Sequence, residues 1–422
     1  MKAGLRAVIF EKKSFVGGRM NSENIDGFII DKSAYTIPEF YKNFIRLLGE
    51  LGLENSLVET PGTSSTFRQG KEHKMKIGSP KDFLKHRLLS LKQKKDLVQL
   101  FLYAQSLGKA LNLNNPTEKT LDLDGETTAE YLRREYDKEL LECIAYPIFC
   151  ELFLGVPENN SKIAFLATIR NLTRFKIFSL SQGMGMVSER LRRGLDVRLR
   201  APVLKIHKTD MAGPYRVDIG GESAESLFFD SIIFAIPSPI VPQLFDDLPE
   251  AIREELRGVQ YSPSVVTAMA LDQPYSDASM MNCVLREDFD VLGTIVFDHH
   301  KGPGRIPPGK GLVTAILSEN GSRNLFSESD AMITEQVTRE MDTLFPGFSD
   351  RTIFTRVYRW EHAAVQLPPG TLYRQQMTRK TIEGGLNNLY FASDGLNMAS
   401  IEVSVKTGFR AADRIIERMK KS

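Results

Sequence analysis

The sequence predicts an α/β fold in which a parallel sheet is buried between helices, and three short apolar segments carry that prediction. They are residues 7–10 (AVIF), 230–236 (DSIIFAI) and 389–392 (LYFA). Brief runs of this kind suit strands that are covered on both faces, as in a parallel sheet. A helical pattern follows the first run over residues 39–53, and a predicted helix follows the last run over residues 400–412.

The first of these strands ends in an acidic residue and is followed by a pair of glycines. Glu11 comes directly after residues 7–10, and Gly17, Gly18 and Arg19 follow it. A carboxylate at the end of the second strand of a dinucleotide-binding fold can accept both hydrogen bonds of an adenosine ribose. Two glycines let the backbone approach a pyrophosphate closely, and a guanidinium can neutralise its charge. These residues therefore predict a dinucleotide site.

The last strand leads into a turn and then a helix. Asp394 begins the predicted turn, and the helix starts at Ser400 with Ile401 and Glu402 in its first turn. Taken together, the two ends of the chain resemble the flavin-containing amine oxidoreductase superfamily. That superfamily includes protoporphyrinogen oxidases, phytoene-type desaturases and monoamine oxidases.

The resemblance implies an FAD cofactor and assigns contacts to it. Asp394 matches the acid that binds the pyrophosphate region of FAD, and Glu402 matches an acid of the terminal helix, whose first turn faces the flavin ring. Val203 matches the position that sets a backbone group against the adenine. In such enzymes the flavin accepts the hydride, while the protein binds, orients and excludes water. No catalytic side chain is therefore assigned from the sequence.

The resemblance also implies two interleaved domains, and 422 residues are enough for both. A Rossmann-like FAD-binding domain would comprise residues 1–75, 180–255 and 370–422. A substrate domain built from a sheet and helices would comprise residues 76–179 and 256–369.

Composition and charge argue against several kinds of partner. The chain has 55 basic and 53 acidic residues, a net charge of +2, so no global charge favours nucleic acid. No apolar run approaches the 18 or so residues of a membrane-spanning helix. Cys143, Cys150 and Cys283 cannot all pair and lack metal-ligand spacing, which favours a reduced, cytoplasmic protein.

One segment is locally basic. Residues 71–96 carry nine basic and three acidic side chains, a local charge of +6, and apolar residues are interleaved with them as far as Leu102. A basic amphipathic helix can lie on an anionic membrane surface, so residues 71–102 are a candidate for peripheral membrane contact. Alternatively, the basic residues form the solvated face of a substrate-domain helix. The absence of an interfacial Trp in this segment favours that alternative.

The substrate class is argued from one strand and its neighbours. On residues 262–272, the resemblance to amine oxidases would require a lysine, but the matching position is Thr267 and no lysine lies nearby. Ser400 stands where amine oxidases place an aromatic residue. The resemblance therefore favours dehydrogenation of an apolar, conjugating molecule such as a polyprenoid or porphyrinogen. Amine oxidation, or a relative that no longer catalyses, are the alternatives.

Two further residues are candidates for substrate contact. Trp360, the only tryptophan, is either a wall of the substrate site or part of the core, and His362 is a candidate general base. His299 and His300 would point to opposite faces of a strand. They have no carboxylate or cysteine cluster at ligand spacing, so no metal site is predicted.

The beginning of the chain raises one more expectation. A dinucleotide-binding fold normally places a glycine-rich turn about 20 residues before the acid that Glu11 matches. Residues 2–5 match the end of the first helix in the family, so the preceding strand and turn are expected to lie outside this sequence. We expect the chain as given to retain FAD poorly, because a buried central strand and a helix N-terminus would be lost.

Overall fold

A computed structural model describes residues 4–76, 79–113, 116–171, 176–210, 214–222, 224–386 and 388–420. Helices and strands are mixed along the chain, which confirms the predicted α/β class.

The strands, in chain order, are β1 (Val8–Phe10), β2 (Ser22–Ile25), β3 (Phe28–Asp31), β4 (Ile37–Pro38), β5 (Leu57–Glu59), β6 (Thr63–Arg68), β7 (Lys71–Lys76), β8 (Ile177–Leu180), β9 (Asp196–Arg198), β10 (Val203–Lys208), β11 (Tyr215–Ile219), β12 (Glu225–Phe229), β13 (Ile232–Phe234), β14 (Tyr261–Leu271), β15 (Met281–Val284), β16 (Leu292–Phe297), β17 (Gly311–Leu317), β18 (Thr352–Val365) and β19 (Leu389–Phe391).

The α-helices, in chain order, are α1 (Lys42–Glu50), α2 (Pro80–Lys85), α3 (Leu91–Leu107), α4 (Glu118–Leu123), α5 (Thr128–Glu135), α6 (Lys138–Leu140), α7 (Tyr146–Ile148), α8 (Lys162–Asn171), α9 (Gly185–Arg192), α10 (Val241–Leu244), α11 (Glu250–Arg257), α12 (Glu319–Leu325), α13 (Asp330–Leu344), α14 (Thr371–Gly385) and α15 (Ile401–Met419). Two π-helical segments, Leu141–Ala145 and Phe149–Phe153, flank α7.

Apart from the parallel pairing of β6 with β15 inside the largest sheet, the parallel strands form two separate two-stranded sheets. β1 pairs with β9, and β13 pairs with β19. The three predicted apolar strands are therefore present. The expectation that they are covered on both faces is wrong for two of them, because Ile9 is 44% exposed and Ile233 is 46% exposed. The carboxyl ends of β1 and β19 nevertheless carry the predicted acidic residues Glu11 and Asp394.

The largest sheet has seven strands in the order β18-β14-β17-β16-β15-β6-β7. Side chains alternate across β14, so its two faces contact different parts of the molecule. Val265 and Met269 share an apolar cluster with Val337 of α13. Ala268 packs against Phe28 of the β2–β3 hairpin. The sheet therefore has one face covered by α13 and one face turned toward the beginning of the chain.

Sheet membership bears on the expected division into domains. Strands β6 and β7 were expected at the end of the first FAD-binding segment, yet β6 pairs with β15 inside the seven-stranded sheet. The division itself stays a proposal, and this pairing favours a first boundary before Thr63 rather than after residue 75.

A buried charge network joins the hairpin to the large sheet. Asp31 Oδ2 lies 2.6 Å from Arg305 Nη2 and 3.4 Å from Lys301 Nζ, and all three side chains are almost fully buried. Asp31 Oδ1 accepts hydrogen bonds from Ser22 Oγ at 2.6 Å and the backbone N–H of Met184 at 2.8 Å. Although burial opposes ionisation, the two cations hold the pKa of Asp31 below its ordinary value. The network fixes the hairpin against the sheet.

Two local expectations are corrected by the structure. The basic segment is not one helix: it contains β7, α2 and α3, while residues 77 and 78 lie outside the described residues. Pro80 starts α2, and Ser90 caps α3 by accepting a hydrogen bond from the N–H of Gln93. His299 and His300 lie in a 3₁₀ turn rather than a strand, so their rings are neighbours, with centroids 4.5 Å apart.

Candidate active site

The Gly-Gly-Arg turn after β1 requires glycine at one position and presents open backbone at the next. Gly17 has φ +99°, and a Cβ there would lie 2.7 Å from the carbonyl oxygen of Met20 and 2.8 Å from Oγ of Ser188. Gly18 has φ +51°, but a Cβ there would meet no atom within 4 Å. Packing therefore fixes Gly17, whereas the backbone at Gly18 is open to the close approach of a ligand.

Arg19 connects this turn to two distant parts of the chain. Its Nη2 lies 2.7 Å from Oδ2 of Asp394, and its Nη1 donates to the carbonyl oxygen of Ala363 at 2.6 Å. The Arg19 side chain is 30% exposed, whereas that of Asp394 is 3% exposed. The structure thus brings together the predicted residues Arg19 and Asp394, and it adds the end of β18 to the same site.

Three buried polar atoms converge beside Gly395 without a hydrogen bond of good geometry among the described residues. They are Oδ1 of Asp394, Oγ of Ser238 and the hydroxyl of Tyr261. A Cβ on Gly395 would lie 2.0 Å from Ser238 Oγ and 2.9 Å from the Tyr261 hydroxyl. Buried polar atoms are rarely left unpaired, so this group suits a polar ligand. Burial and the charge of Asp394 raise the pKa of Tyr261, which keeps its hydroxyl protonated.

Glu11 lies at the edge of the same region. Its Oε1 accepts the N–H of Lys13 at 2.8 Å, and the residue is only partly buried, which leaves Oε2 available to a ligand. The backbone of Glu11 is fixed on both sides, since its N–H donates to Arg198 and its carbonyl accepts from Ala201. Val203, two residues after Ala201, begins β10 and is half-buried. Glu11 and Val203 therefore lie close together, as a shared adenosine site requires.

The first turn of α15 is engaged in capping. Ser400 Oγ accepts the N–H of Val403 at 3.1 Å, which caps α15 itself. The Glu402 carboxylate caps α1 instead: it accepts the N–H of Asn43 at 3.0 Å, the Nδ2 of Asn43 at 2.6 Å and the N–H of Phe44 at 2.9 Å. Helix α1 has no side-chain cap of its own. Glu402 thus positions the two helices relative to each other, and its role toward a cofactor stays a prediction.

Ile401, the other predicted residue of this turn, packs in an apolar cluster around Met184. The nearby Tyr41 hydroxyl is buried beside Glu402, and together these raise its pKa to about 12. The surroundings of the α15 N-terminus are therefore apolar except for the capping groups.

Thr267 lies on the α13-covered face of the large sheet. Its cross-strand neighbours are Ala315 of β17 and Val357 of β18, and both belong to the apolar cluster packed against α13. The structure therefore does not bring Thr267 to the candidate site beside Gly395. The residues of β14 that face the other way are Val266 and Ala268, and neither is a lysine.

Trp360 and His362 both lie near the end of β18. Trp360 is 8% exposed, its Nε1 donates to the carbonyl oxygen of Lys32 at 2.9 Å, and Lys13 Nζ lies 4.4 Å from its ring centroid. The His362 ring contacts the Tyr261 ring edge to face at 5.2 Å. Burial lowers the pKa of His362 below its ordinary value, which keeps the imidazole neutral at pH 7. His362 therefore adjoins the unpaired polar group, and Trp360 packs behind it.

A second polar group was not indicated by the sequence. Glu151 lies in the second π-helical segment with its Oε2 3.7 Å from Sγ of Cys283, and its Oε1 has no partner among the described residues. Burial raises the pKa of Glu151 to about 7. The same burial raises the pKa of Cys150 to about 12, so that thiol is inert. Tyr35 is the aromatic residue next to these groups. Burial raises the pKa of Tyr35, and the charge of Glu151 raises it further above its ordinary range.

Within the described ranges, no set of three or more His, Cys, Asp and Glu side chains is arranged to hold a metal ion. Among the helices of those ranges, none has the length and apolar character needed to cross a membrane.

Comparison with known families identifies this chain as a flavin-containing oxidoreductase. The profile of the family described as "Flavin containing amine oxidoreductase" matches residues 1–416 of the 422. The chain therefore belongs to the flavin-containing amine oxidoreductase family, as its two ends predicted.

Similar proteins within this fold have two kinds of activity in their names. The chain is 21% identical to coproporphyrinogen III oxidase of Bacillus subtilis (strain 168), over 96% of this chain and 90% of that protein. A putative protoporphyrinogen oxidase from Exiguobacterium sp. 255-15 has a similar structure, with TM-score 0.76, 20% identity, and coverage of 99% of this chain and 94% of the other. Wild-type putrescine oxidase bound to putrescine has TM-score 0.79, 17% identity, and coverage of 98% and 94%.

Proposed function

We propose that this chain binds FAD at the ends of β1 and β19 and dehydrogenates an apolar, porphyrinogen-like substrate. The observation that carries the proposal is the convergence of unpaired polar atoms of Asp394, Ser238 and Tyr261 on Gly395. That group lies just beyond the carboxyl end of a parallel strand, which is where α/β sheets bind nucleotide cofactors.

The residues present fit the parts of FAD. Glu11 has a free carboxylate oxygen for the adenosine ribose, and Val203 lies close to it for the adenine. Gly18 offers open backbone, and the partly exposed Arg19 offers a positive charge for the pyrophosphate. Asp394 adds an unpaired carboxylate oxygen, which suits a hydroxyl donor of the cofactor beside the pyrophosphate rather than the phosphate oxygens themselves.

Four of the predicted cofactor residues act on the site by holding other groups in place. They are Gly17, Ser400, Ile401 and Glu402. Gly17 shapes the turn, and the other three hold the first turn of α15 in place. When bound, the flavin supplies a hydride acceptor. The protein then binds and orients the substrate and excludes water from it, for which the buried Trp360 ring is suited.

Two observations favour a porphyrinogen over an amine. The named porphyrinogen oxidases that this chain resembles cover nearly all of it. Moreover, β14 contains no lysine on either face, although the resemblance to amine oxidases would require one there. Val266 and Ala268, which face away from α13, have no cationic group with which to bind a water molecule.

Amine oxidation is the second candidate, because the fold is equally similar to that of putrescine oxidase. The experiment that separates the two is anaerobic mixing of the flavin-loaded protein with each substrate. Coproporphyrinogen III should bleach the visible flavin absorbance, and readmission of air should then yield a fluorescent porphyrin, because one flavin accepts only part of the electrons that full oxidation releases. Putrescine and other simple amines should leave the absorbance unchanged. Rapid bleaching by amines would overturn the assignment. A sample of porphyrinogen without protein serves as the control for spontaneous oxidation.

We also propose that α3 contacts an anionic membrane surface. Leu91, Val98 and Leu102 are 84%, 46% and 60% exposed, and their spacing places them on one side of the helix. The exposed Lys95 lies on that side, while the buried Leu100 lies opposite. An exposed apolar stripe flanked by lysines suits the surface of a bilayer that contains acidic lipids.

Vesicle sedimentation tests the membrane proposal. Binding to phosphatidylglycerol vesicles but not to phosphatidylcholine vesicles is expected, and it should be lost in Val98→Ser/Leu102→Ser. Equal sedimentation of that variant would contradict the proposal. A cytoplasmic location is proposed on separate grounds, because Cys143, Cys150 and Cys283 are all buried free thiols.

A further inference from the structure

Glu151 is a buried carboxylate without a cation. Its Oε1 has no accessible surface and no hydrogen-bond partner among the described residues, and its Oε2 meets only the thiol of Cys283, at 3.7 Å. Two other buried acids contact cations, Asp31 with Arg305 and Asp394 with Arg19, while the buried Asp124 accepts the N–H of Leu372 instead. An unpaired buried carboxylate is costly, so its retention points to a role.

The backbone around this carboxylate has an unusual conformation. Glu151 lies in the π-helical segment Phe149–Phe153, and the next residue, Leu154, has a left-handed conformation with φ +49°. π-helical turns occur preferentially at functional sites, and a left-handed leucine stores strain. The segment thus departs from ideal geometry at the point where it presents Glu151.

The surroundings of Glu151 lead to the cofactor cleft. The charge of Glu151 contributes to the raised pKa of the Tyr35 hydroxyl. Tyr35 packs with Leu154, Trp360 and Ala363 in one apolar cluster. The carbonyl oxygen of Ala363 accepts the hydrogen bond from Arg19 described above. Tyr35, Leu154 and Glu151 are each only partly buried. We call the region around these three side chains the chamber, and the cluster that contains Tyr35 and Leu154 extends from it to Ala363 beside Arg19.

We propose that Glu151 is the catalytic proton acceptor of this enzyme and binds an N–H group of a cyclic tetrapyrrole in the chamber. The proposal rests on the porphyrinogen-oxidising function proposed above. Oε1 lacks a donor and is covered in the ligand-free structure, so a pyrrole N–H would reach it by displacing neighbouring side chains, and the apolar cluster beside it suits the macrocycle.

A single dehydrogenation balances with one oxidised flavin, and an external electron acceptor must reoxidise that flavin before the next one. Each dehydrogenation would remove two electrons with one hydrogen from a bridging carbon, as a hydride for which the bound flavin would be the acceptor. The neighbouring pyrrole nitrogen loses its proton to the Glu151 carboxylate, and a double bond forms in the macrocycle. The resulting neutral carboxylic acid is the form that burial favours, and it must release the proton before the next hydride transfer.

Three other titratable groups around the chamber stay protonated near neutrality. Burial raises the pKa of Cys283 well above 9.0, that of Tyr35 well above 10.0, and that of Cys150 to about 12. Lys301 and Asp298, on the turn after β16, are paired with each other at 2.5 Å. A pH dependence of binding near pH 7 would therefore report on Glu151.

Calorimetric titration tests the proposal without relying on turnover. Coproporphyrinogen III is titrated into the protein under nitrogen with dithionite, which keeps both the substrate and the flavin reduced so that no reaction occurs. In the natural protein the dissociation constant should rise at least tenfold as the pH falls from 8 to 6, because the carboxylate loses its charge. Glu151→Gln should bind roughly tenfold more weakly at pH 8, with no pH dependence in that range. Glu151→Asp, which keeps the carboxylate, should retain the pH dependence.

The outcomes separate the two proposals. If the natural protein does not bind coproporphyrinogen III at all, the proposed function fails. If it binds, and Glu151→Gln binds with the same affinity and the same pH dependence, the function stands and the role of Glu151 is refuted.

Discussion

Arg19 and Asp394, 375 positions apart in the sequence, form an ion pair of 2.7 Å that joins the turn after β1 to the turn after β19. Each end of the chain carries half of the predicted cofactor site, and this contact brings the halves together. One carboxylate oxygen of Asp394 contacts Arg19, and the other remains unpaired beside Gly395. The pair thus holds the cleft in shape and leaves an acceptor for a ligand.

Glu11→Ala should weaken FAD binding at least tenfold and leave the fold intact. The side chain would contribute one or two charge-assisted hydrogen bonds to the ribose, worth roughly 1.5–3 kcal/mol each. Fluorescence titration of FAD measures the effect. Glu222→Ala is the matched control, since that side chain is 86% exposed. Equal affinity in the two variants would remove Glu11 from the site.

Gly395→Ala should lower FAD affinity at least tenfold, because the added methyl group occupies the space beside the Ser238 hydroxyl. Displacing that hydroxyl should also destabilise the protein by about 1 kcal/mol. Gly408→Ala in α15 is the control: a Cβ there meets nothing within 4 Å, so the variant should keep FAD binding and gain about 0.5–1 kcal/mol. Unchanged FAD affinity in Gly395→Ala would show that the unpaired polar group is not part of the cofactor site.

Glu402→Ala should destabilise the protein by about 2–3 kcal/mol, because helix α1 loses a charged cap that accepts from Asn43 and Phe44. Urea denaturation provides the measurement. Glu361→Ala, at a side chain 80% exposed, should change stability by less than about 0.5 kcal/mol. A loss confined to flavin binding, with no change in stability, would instead assign Glu402 to the cofactor.

Glu151 should make stability fall as the pH rises. Its pKa is about 7 in the folded protein against an ordinary 4.5, so between these values the folded state holds a proton that the unfolded state has released. The free energy of unfolding should therefore drop by up to roughly 3 kcal/mol between pH 4.5 and 8. Glu151→Gln cannot ionise, so its stability relative to the natural protein should increase over this interval. Parallel stability curves for the two proteins would contradict the raised pKa.

The candidate cofactor residues could be named from the sequence because their signals are local. Glu11, Gly17 and Arg19 lie within one short segment at a strand end, and Asp394 comes shortly after another strand. Since β1 and β19 lie in separate two-stranded sheets, only the contact between Arg19 and Asp394 shows that the two segments meet.

The substrate half was less predictable for physical reasons. Residues 264–271 of β14 are all buried, so no polar–apolar alternation shows which face Thr267 occupies. Glu151 lies in an apolar segment whose π-helical geometry has no clear sequence signal. Tyr261 and Ser238 became site residues only through tertiary contacts with Gly395.

The measurement that tests the central claim most directly is the identity and stoichiometry of the bound flavin. The purified chain is incubated with FAD and FMN together, unbound cofactor is removed, and the retained flavin is released by denaturation and quantified by chromatography. A cleft with Glu11 for the adenosine and Arg19 for the pyrophosphate predicts retention of FAD at up to one molecule per chain, with little FMN. Retention of FMN as readily as FAD, or no detectable FAD binding even with excess cofactor present, would contradict the account.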